Sequence, residues 1–316
     1  MKEIVCFPPK KCSSQYFIPE GVEIIRARAF SNCSLHEIII PSSVTTIEQS
    51  AFNWSLNLRR VVYKQSSIKY IGFAAFSFCN KLEAITIPDG VEIVESEAFN
   101  QCSSKDPKLY IPESVTSIGD SAFSCITGLA EIMVHPDNPN YISINDVLFS
   151  KDGKKLILYP GSKEGSVYHI PMGVTTIGPF AFYLSVALTK VVIPEGVTHI
   201  EHSAFESCTR LSEIIFPSTL QFIGQMAFSE LSELKSISIS VSSSELYLEA
   251  YVFQSNSALK TVEISGNLKS IPESAFSYCH SLDIFEIPST VTSIGDLAFG
   301  NADFRSIKIP PNVTSI

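Results

Sequence analysis

No window of this chain approaches 18 uninterrupted apolar residues, so the sequence carries no signal for a transmembrane helix. The opening residues, Met1-Lys2-Glu3-Ile4-Val5-Cys6-Phe7-Pro8-Pro9, lack the apolar core and small-residue cleavage site of a standard secretory leader. Basic residues are scarce: 23 Lys and Arg stand against 32 Asp and Glu, a formal net charge of −9. That balance excludes the basic face on which nucleic-acid binding depends. Charged residues make up only 17% of the 316 residues and hydrophobic ones 45%, so the chain has ample material to bury and disorder is excluded. Catalytic signatures are missing as well. There is no Gly-x-Ser-x-Gly elbow, phosphate-binding loop, His-Glu-x-x-His or paired Cys-x-x-Cys. His199 and His202 form a His-x-x-His without the further ligands of a zinc site. The expectation is a non-enzyme with no metal and no cofactor.

What the chain has is a period. Phe30, Phe52, Phe76, Phe99 and Phe123 follow one another at intervals of 22, 24, 23 and 24 residues. Phe182, Phe205, Phe228, Phe253, Phe276 and Phe299 continue at 23, 23, 25, 23 and 23. Each is preceded by Ala except Phe253, which follows Val252. A spacing of about 20–29 residues marks a leucine-rich-repeat solenoid, in which each unit packs only on its neighbours. Such a chain presents a long surface rather than a pocket.

Aligned, the unit reads Leu-x-x-Ile-x-Ile-Pro-x-x-Val-x-x-Ile-x-x-x-Ala-Phe-x-x-Cys, with its clearest copy running from Leu82 to Cys102. The alternating Ile-x-Ile predicts a strand with one buried face, and the proline after it ends the ladder for want of a donor. Pairs such as Asp89-Gly90 and Glu195-Gly196 predict a turn, and Val115-Thr116-Ser117-Ile118 a second short strand. The glycine that often follows (Gly72, Gly119, Gly178, Gly224, Gly295) predicts a backbone conformation costly for other residues. The Ala-Phe-x-x-Cys segment predicts one helical turn. The fold class is therefore a repeat solenoid: a right-handed β-rich coil with a parallel sheet, short second-face strands and single helical turns. Cys33, Cys79, Cys102, Cys208 and Cys279 lie three residues after the repeat Phe and Cys125 two after, which predicts small buried hydrophobes rather than a disulfide framework. Cys6 and Cys12 fall outside the pattern, where a terminal disulfide is an open alternative.

Two places break the period. Between Phe123 and Phe182 the apolar runs Val147-Leu148-Phe149 and Leu156-Ile157-Leu158-Tyr159 flank Asp152-Gly153, a hairpin signal. Near Ser240–Glu249 a degenerate repeat predicts a serine-rich turn. The expected organisation is an N-terminal cap over 1–17, repeats over 18–134, an inserted β-hairpin module over 135–168 projecting between the arrays, and repeats over 169–316. The last repeat stops in its first third, which suggests a fragment or an unusual end.

The recurring Ile-Pro-x-x-Val-Thr-x-Ile-Gly-x-x-Ala-Phe-x-x-Cys resembles the BspA-type, or Treponema pallidum-type, leucine-rich repeat, over about residues 16–316. Asn138-Pro139-Asn140-Tyr141 through Leu158-Tyr159-Pro160 resembles a module that interrupts such arrays. The resemblance implies a solenoid displayed by mucosal bacteria and parasitic protists as a surface antigen, linked with adhesion to matrix proteins such as fibronectin and with co-aggregation. It implies no catalytic residues. The bare N-terminus supports the other reading, an intracellular scaffold for protein–protein interaction.

The outward position of the main strand, between its last two buried residues, is the candidate protein-binding face. It carries Ile39, Val62, Thr86, Tyr110, Met133, Val192 and Ile215, and then turns polar at Ser238, Glu263, Glu286 and Lys308. A contiguous apolar stripe on an open sheet marks a binding face. The competing reading is that β-branched residues favour strands and stack on one another.

Overall fold

The computed structural model describes residues 2–6, 14–304 and 307–316, with the side chains of residues 243 and 244 left out; Cys12, and with it the question of a Cys6–Cys12 pair, lies outside the described residues. The chain divides into two compact units, the first Met1–Asp152 with Leu158–Lys163, the second Gly153–Ile157 with Glu164–Ile316. Each is a parallel β-solenoid in its own right.

In the first unit the short second-face strands Lys2–Ile4, Val22–Ile25, Thr46–Ile47, Tyr70–Ile71, Ile93–Val94 and Ser117–Ile118 form one parallel sheet in chain order. The main strands Gln15–Phe17, Glu37–Ile40 and Arg60–Tyr63 form another, and Lys108–Ile111 pairs with Glu131–Val134. In the second unit Val167–His169, Lys190–Val192 and Glu213–Ile215 pair in parallel on the main face. Thr176–Ile177, His199–Ile200 and Phe222–Ile223 do so on the other.

The core between the two faces is the repeat itself. Phe30, Phe52, Phe76, Phe99 and Phe123 stack ring on ring at centroid distances of 5.1, 4.8, 5.1 and 5.6 Å. Phe182, Phe205 and Phe228 do the same at 4.5 and 5.1 Å, and the stack continues to Phe299. Equal spacing of coils forces like side chains over like. Each stacked pair adds about 0.5–1.5 kcal/mol to the burial of the rings.

The turn after each proline forms as the sequence predicts, with the Val22, Val91 and Val197 amides donating to Pro19, Pro88 and Pro194 carbonyls at 3.2–3.3 Å. The predicted helical turn does not form, and no helix occurs among the described residues. In its place two non-glycine residues per coil sit in the left-handed region on either side of Ala-Phe, as Arg28 (φ 60°) and Asn32 (φ 54°) do around Ala29-Phe30-Ser31. The Ala29 and Ser31 amides close tight turns on Arg26 and Arg28 carbonyls, both at 3.1 Å. The alternating Arg28, Phe30 and Asn32 amides donate to Gln49, Ala51 and Asn53 of the next coil at 3.1, 2.7 and 2.8 Å. A helical turn would spend those donors within the coil; the left-handed residues cost about 1–2 kcal/mol each but aim them at the neighbour.

The recurrent glycine has a different reason from the expected one. Gly119 and Gly224 do not have left-handed backbones; a Cβ at either would lie 2.2 Å from the Ser96 amide nitrogen or 2.5 Å from that of His202. Coil-to-coil approach, not φ, demands glycine there. The cysteines are more than small hydrophobes. Buried Cys79, Cys102, Cys208 and Cys279 each donate an S–H to the repeat Phe carbonyl of the preceding coil, at 3.3, 3.1, 3.0 and 3.2 Å. Ser55 and Asn256 fill the same role at 2.9 Å. Burial pushes the Cys208 and Cys279 thiols up to about 12, so they stay protonated and inert.

Within residues 135–168, Tyr141–Ile144 and Val147–Ser150 form an antiparallel hairpin turning at Asn145-Asp146, both left-handed. Val147–Ser150 is hydrogen-bonded in turn to Lys155–Leu158 across the predicted Asp152-Gly153 turn, and Val147, Leu148 and Phe149 are fully buried. Asn138 fastens the segment to the first unit. Its buried amide donates to Pro112 and Val115 carbonyls at 2.7 and 2.9 Å and accepts from Asn140 and Tyr141 amides. The Ile118 amide donates to the Tyr141 hydroxyl at 2.8 Å. The serine-rich segment is a 13-residue strand, Ser236–Leu248, with a bulge between Ser240 and Glu245, rather than a turn. No proline follows its Ile-x-Ile, so nothing ends the ladder.

Candidate protein-binding face

Register decides which side chains share a face. Phe17, Ile39 and Val62 are directly paired across three strands of the first unit, and Tyr110 is paired with Met133. In the second unit His169, Val192 and Ile215 are paired, and Ser238 faces Glu263. The candidate-face residues other than Thr86 therefore lie in cross-strand ladders within each unit.

Their accessibility differs. Tyr110, Met133 and Ile215 are 42%, 40% and 43% exposed, large apolar groups held open to water by a rigid sheet. Thr86 is exposed, and Val62 and Val192 are half-buried. Ile39 is only 6% exposed, so it serves the core rather than the face. Lying between Phe17 and Val62 in the ladder, it is flanked on both sides. Phe17, missed by the sequence reading, is 58% exposed at the start of the same ladder. Its signal was legible, since Phe17-Ile18-Pro19 aligns with Ile39-Ile40-Pro41.

The ladder of the first unit is broken in the middle. Residues 84–87 form no strand, although they carry the repeat's Ile-x-Ile. No backbone hydrogen bond joins Ile85, Thr86 or Ile87 to either flanking coil. The next strand, Lys108–Ile111, starts one place later after its repeat Phe than Ile85-Thr86-Ile87 does, yet it pairs in full with Glu131–Val134, so that offset does not by itself open the sheet. Small Ala84 and Thr86 sit between Arg60 and Val62 on one side and Tyr110 on the other, leaving a cleft of about 940 Å³. Half-buried Tyr63 lines it, its phenol raised above the ordinary value by burial.

The face has the character of a contact surface, with apolar groups at the centre and ion pairs around them. Arg60 reaches Glu37 at 3.4 Å and Glu83 at 3.9 Å, and Lys108 pairs with Glu131 at 3.0 Å. Exposed pairs of this kind add little stability and set the polarity of a rim. The two histidines of the His-x-x-His take aromatic neighbours: His199 stacks on Phe222 and His202 meets Phe180 edge-on. Among the described residues no group of three or more His, Cys, Asp or Glu is placed to hold a metal ion.

A family profile described as a BspA type leucine-rich repeat region in six copies matches residues 5–130, 57–164, 162–247 and 211–316. Among solved structures, a leucine-rich repeat protein from Eubacterium ventriosum is 25% identical with a TM-score of 0.80, over 94% of this chain and 84% of that one. A leucine-rich cell surface protein from Faecalibacterium prausnitzii is 25% identical with a TM-score of 0.60, over 95% and 89%. The pneumococcal vaccine antigen PcpA shares the fold at 24% identity and a TM-score of 0.72, over 97% and 92%. No curated protein matches the chain. With a period, a stacked core and a family profile that all span both units, the chain belongs to the BspA-type leucine-rich repeat family.

Proposed function

We propose that this chain is a non-enzymatic binding solenoid of a cell surface, an adhesin-like antigen whose outward strand faces recognise proteins of a host or neighbouring cell. The observation that carries this reading is that each unit leaves large apolar side chains open to water on regular sheet, Tyr110 and Met133 in one and Ile215 in the other. Exposed apolar groups on a rigid surface are what a protein partner desolvates. A similar solved protein described as a cell surface protein supports the location. On this reading the arrays over 18–134 and 169–316 supply binding surface, and the module over 135–168 falls between them in sequence.

The test is capture of extracellular matrix proteins, fibronectin first, by the parent chain and by Val62→Ser/Tyr110→Ser/Met133→Ser. The triple variant is expected to keep its circular dichroism and melting curve and to lose capture. Undiminished capture by the folded variant contradicts the reading. Antibody labelling of intact cells checks the location, and a signal confined to lysed cells contradicts surface display.

A further inference from the structure

The cleft over residues 84–87 continues into a second one of about 720 Å³, the two sharing Asp89 and Tyr110. Together they make one furrow on the first unit, from Val62 past Tyr110 to Glu113 and Asp137. Its charge is lopsided. Asp89, Glu113 and Asp137 are exposed and enter none of the ion pairs among the described residues, whereas the cations of the lining, Arg59 and Arg60, lie at the Val62 end, Arg60 already reaching Glu37 and Glu83. Lys151 is held on the Pro136 carbonyl at 2.9 Å. The floor bears backbone amides and carbonyls of Ile85, Thr86 and Ile87 that no neighbouring coil satisfies. Unpaired strand-like backbone is a template for another extended chain.

We propose that this furrow takes an extended polypeptide segment of a partner protein, with apolar side chains over Val62 and Tyr110 and a flanking lysine or arginine against Asp89, Glu113 and Asp137. The proposal rests on the protein-binding reading above and adds the partner's chemistry to it. Main-chain bonds to the floor supply affinity without sequence preference; the carboxylates supply the selection for a basic flank.

Fluorescence anisotropy on the full chain tests it with two labelled nine-residue peptides of alternating valine and threonine, one flanked by lysines and one by glutamates. The lysine-flanked peptide is expected to bind about ten-fold more tightly, and more weakly as salt rises. The exposed triple variant Asp89→Lys/Glu113→Lys/Asp137→Lys should reverse that order, and Thr86→Trp, which fills the floor, should weaken both peptides about ten-fold. Equal binding of the two peptides, no binding of either, or indifference to both variants overturns the proposal. So does self-association of the chain that Thr86→Trp abolishes, because the occupant is then a second copy. Met133 lies outside the furrow lining, so loss of matrix-protein capture in Met133→Ser alongside failed peptides would sink the furrow and leave the wider function standing.

Discussion

The two units are alike inside and unlike outside. Their cores repeat the same residues in the same places: Ala51-Phe52 and Ala204-Phe205 are fully buried in one and the other, as are Val44 and Val197, Ile47 and Ile200. Their outward ladders diverge. The first unit exposes Phe17, Tyr110 and Met133 and interrupts its sheet at residues 84–87; the second interrupts its own after Glu213–Ile215 and passes from the apolar Val192 and Ile215 to Ser238 and Glu263 on the long strands Ser236–Leu248 and Thr261–Leu268. Stacking constrains only the inward positions, because each must match the coil above and below. The outward positions are left to vary, and there the units acquire separate characters.

If the cores are equivalent, removing one ring from each should cost the same. Phe76→Ala in the first unit and Phe205→Ala in the second are each expected to lose about 3–5 kcal/mol in urea unfolding. A large difference between them would break the comparison. Next in size, Gly119→Ala and Gly224→Ala should each lose about 1–3 kcal/mol, because the added Cβ meets backbone that cannot move aside. Thiol chemistry sharpens the same point. Cys79, buried and pushed well above its ordinary value by desolvation, and Cys208 should both resist iodoacetamide at neutral pH until the chain is unfolded, as read by mass spectrometry. The smallest effect is peculiar to the second unit. Burial, with Glu230 nearby, holds the Glu206 carboxyl above the ordinary value. A raised carboxyl binds its proton more tightly folded than unfolded, so its contribution improves as pH falls through the folded value and is unfavourable at neutral pH. Glu206→Gln should therefore melt slightly higher than the parent at pH 7, with the gap closing in acid.

Much of this was legible in the sequence because the stacked positions are chemically narrow. Phe, Ala, Pro and the paired Ile report burial, a chain stop and a strand by their own properties, and outward register followed by counting from the proline. The rest was hidden for physical reasons. The left-handed corner residues include Arg28, Trp54, Glu97 and Leu297, which share no composition, since the next coil's carbonyls dictate the conformation rather than any local preference. Cysteine's part as a donor emerges only beside Ser55 and Asn256, which make the same bond. Burial of Ile39 depends on its neighbours in the ladder, invisible to a position-by-position reading. The break at residues 84–87 left no mark in the repeat, since Ile85-Thr86-Ile87 keeps the Ile-x-Ile of its paired neighbours.

Hydrogen exchange resolved to single amides probes the contrast between a uniform interior and a surface opened at residues 84–87. The amides of Ile85, Thr86 and Ile87 should exchange with little protection, while ladder amides in both units exchange slowly: Lys64 and His135 in one, bonded to Ile40 and Ile111 carbonyls, and Ile170 and Ile193 in the other, bonded to Val192 and Ile215 carbonyls. Protection at residues 84–87 equal to that of the flanking strands would mean that the sheet is continuous there and that the furrow is not a built feature of the coil.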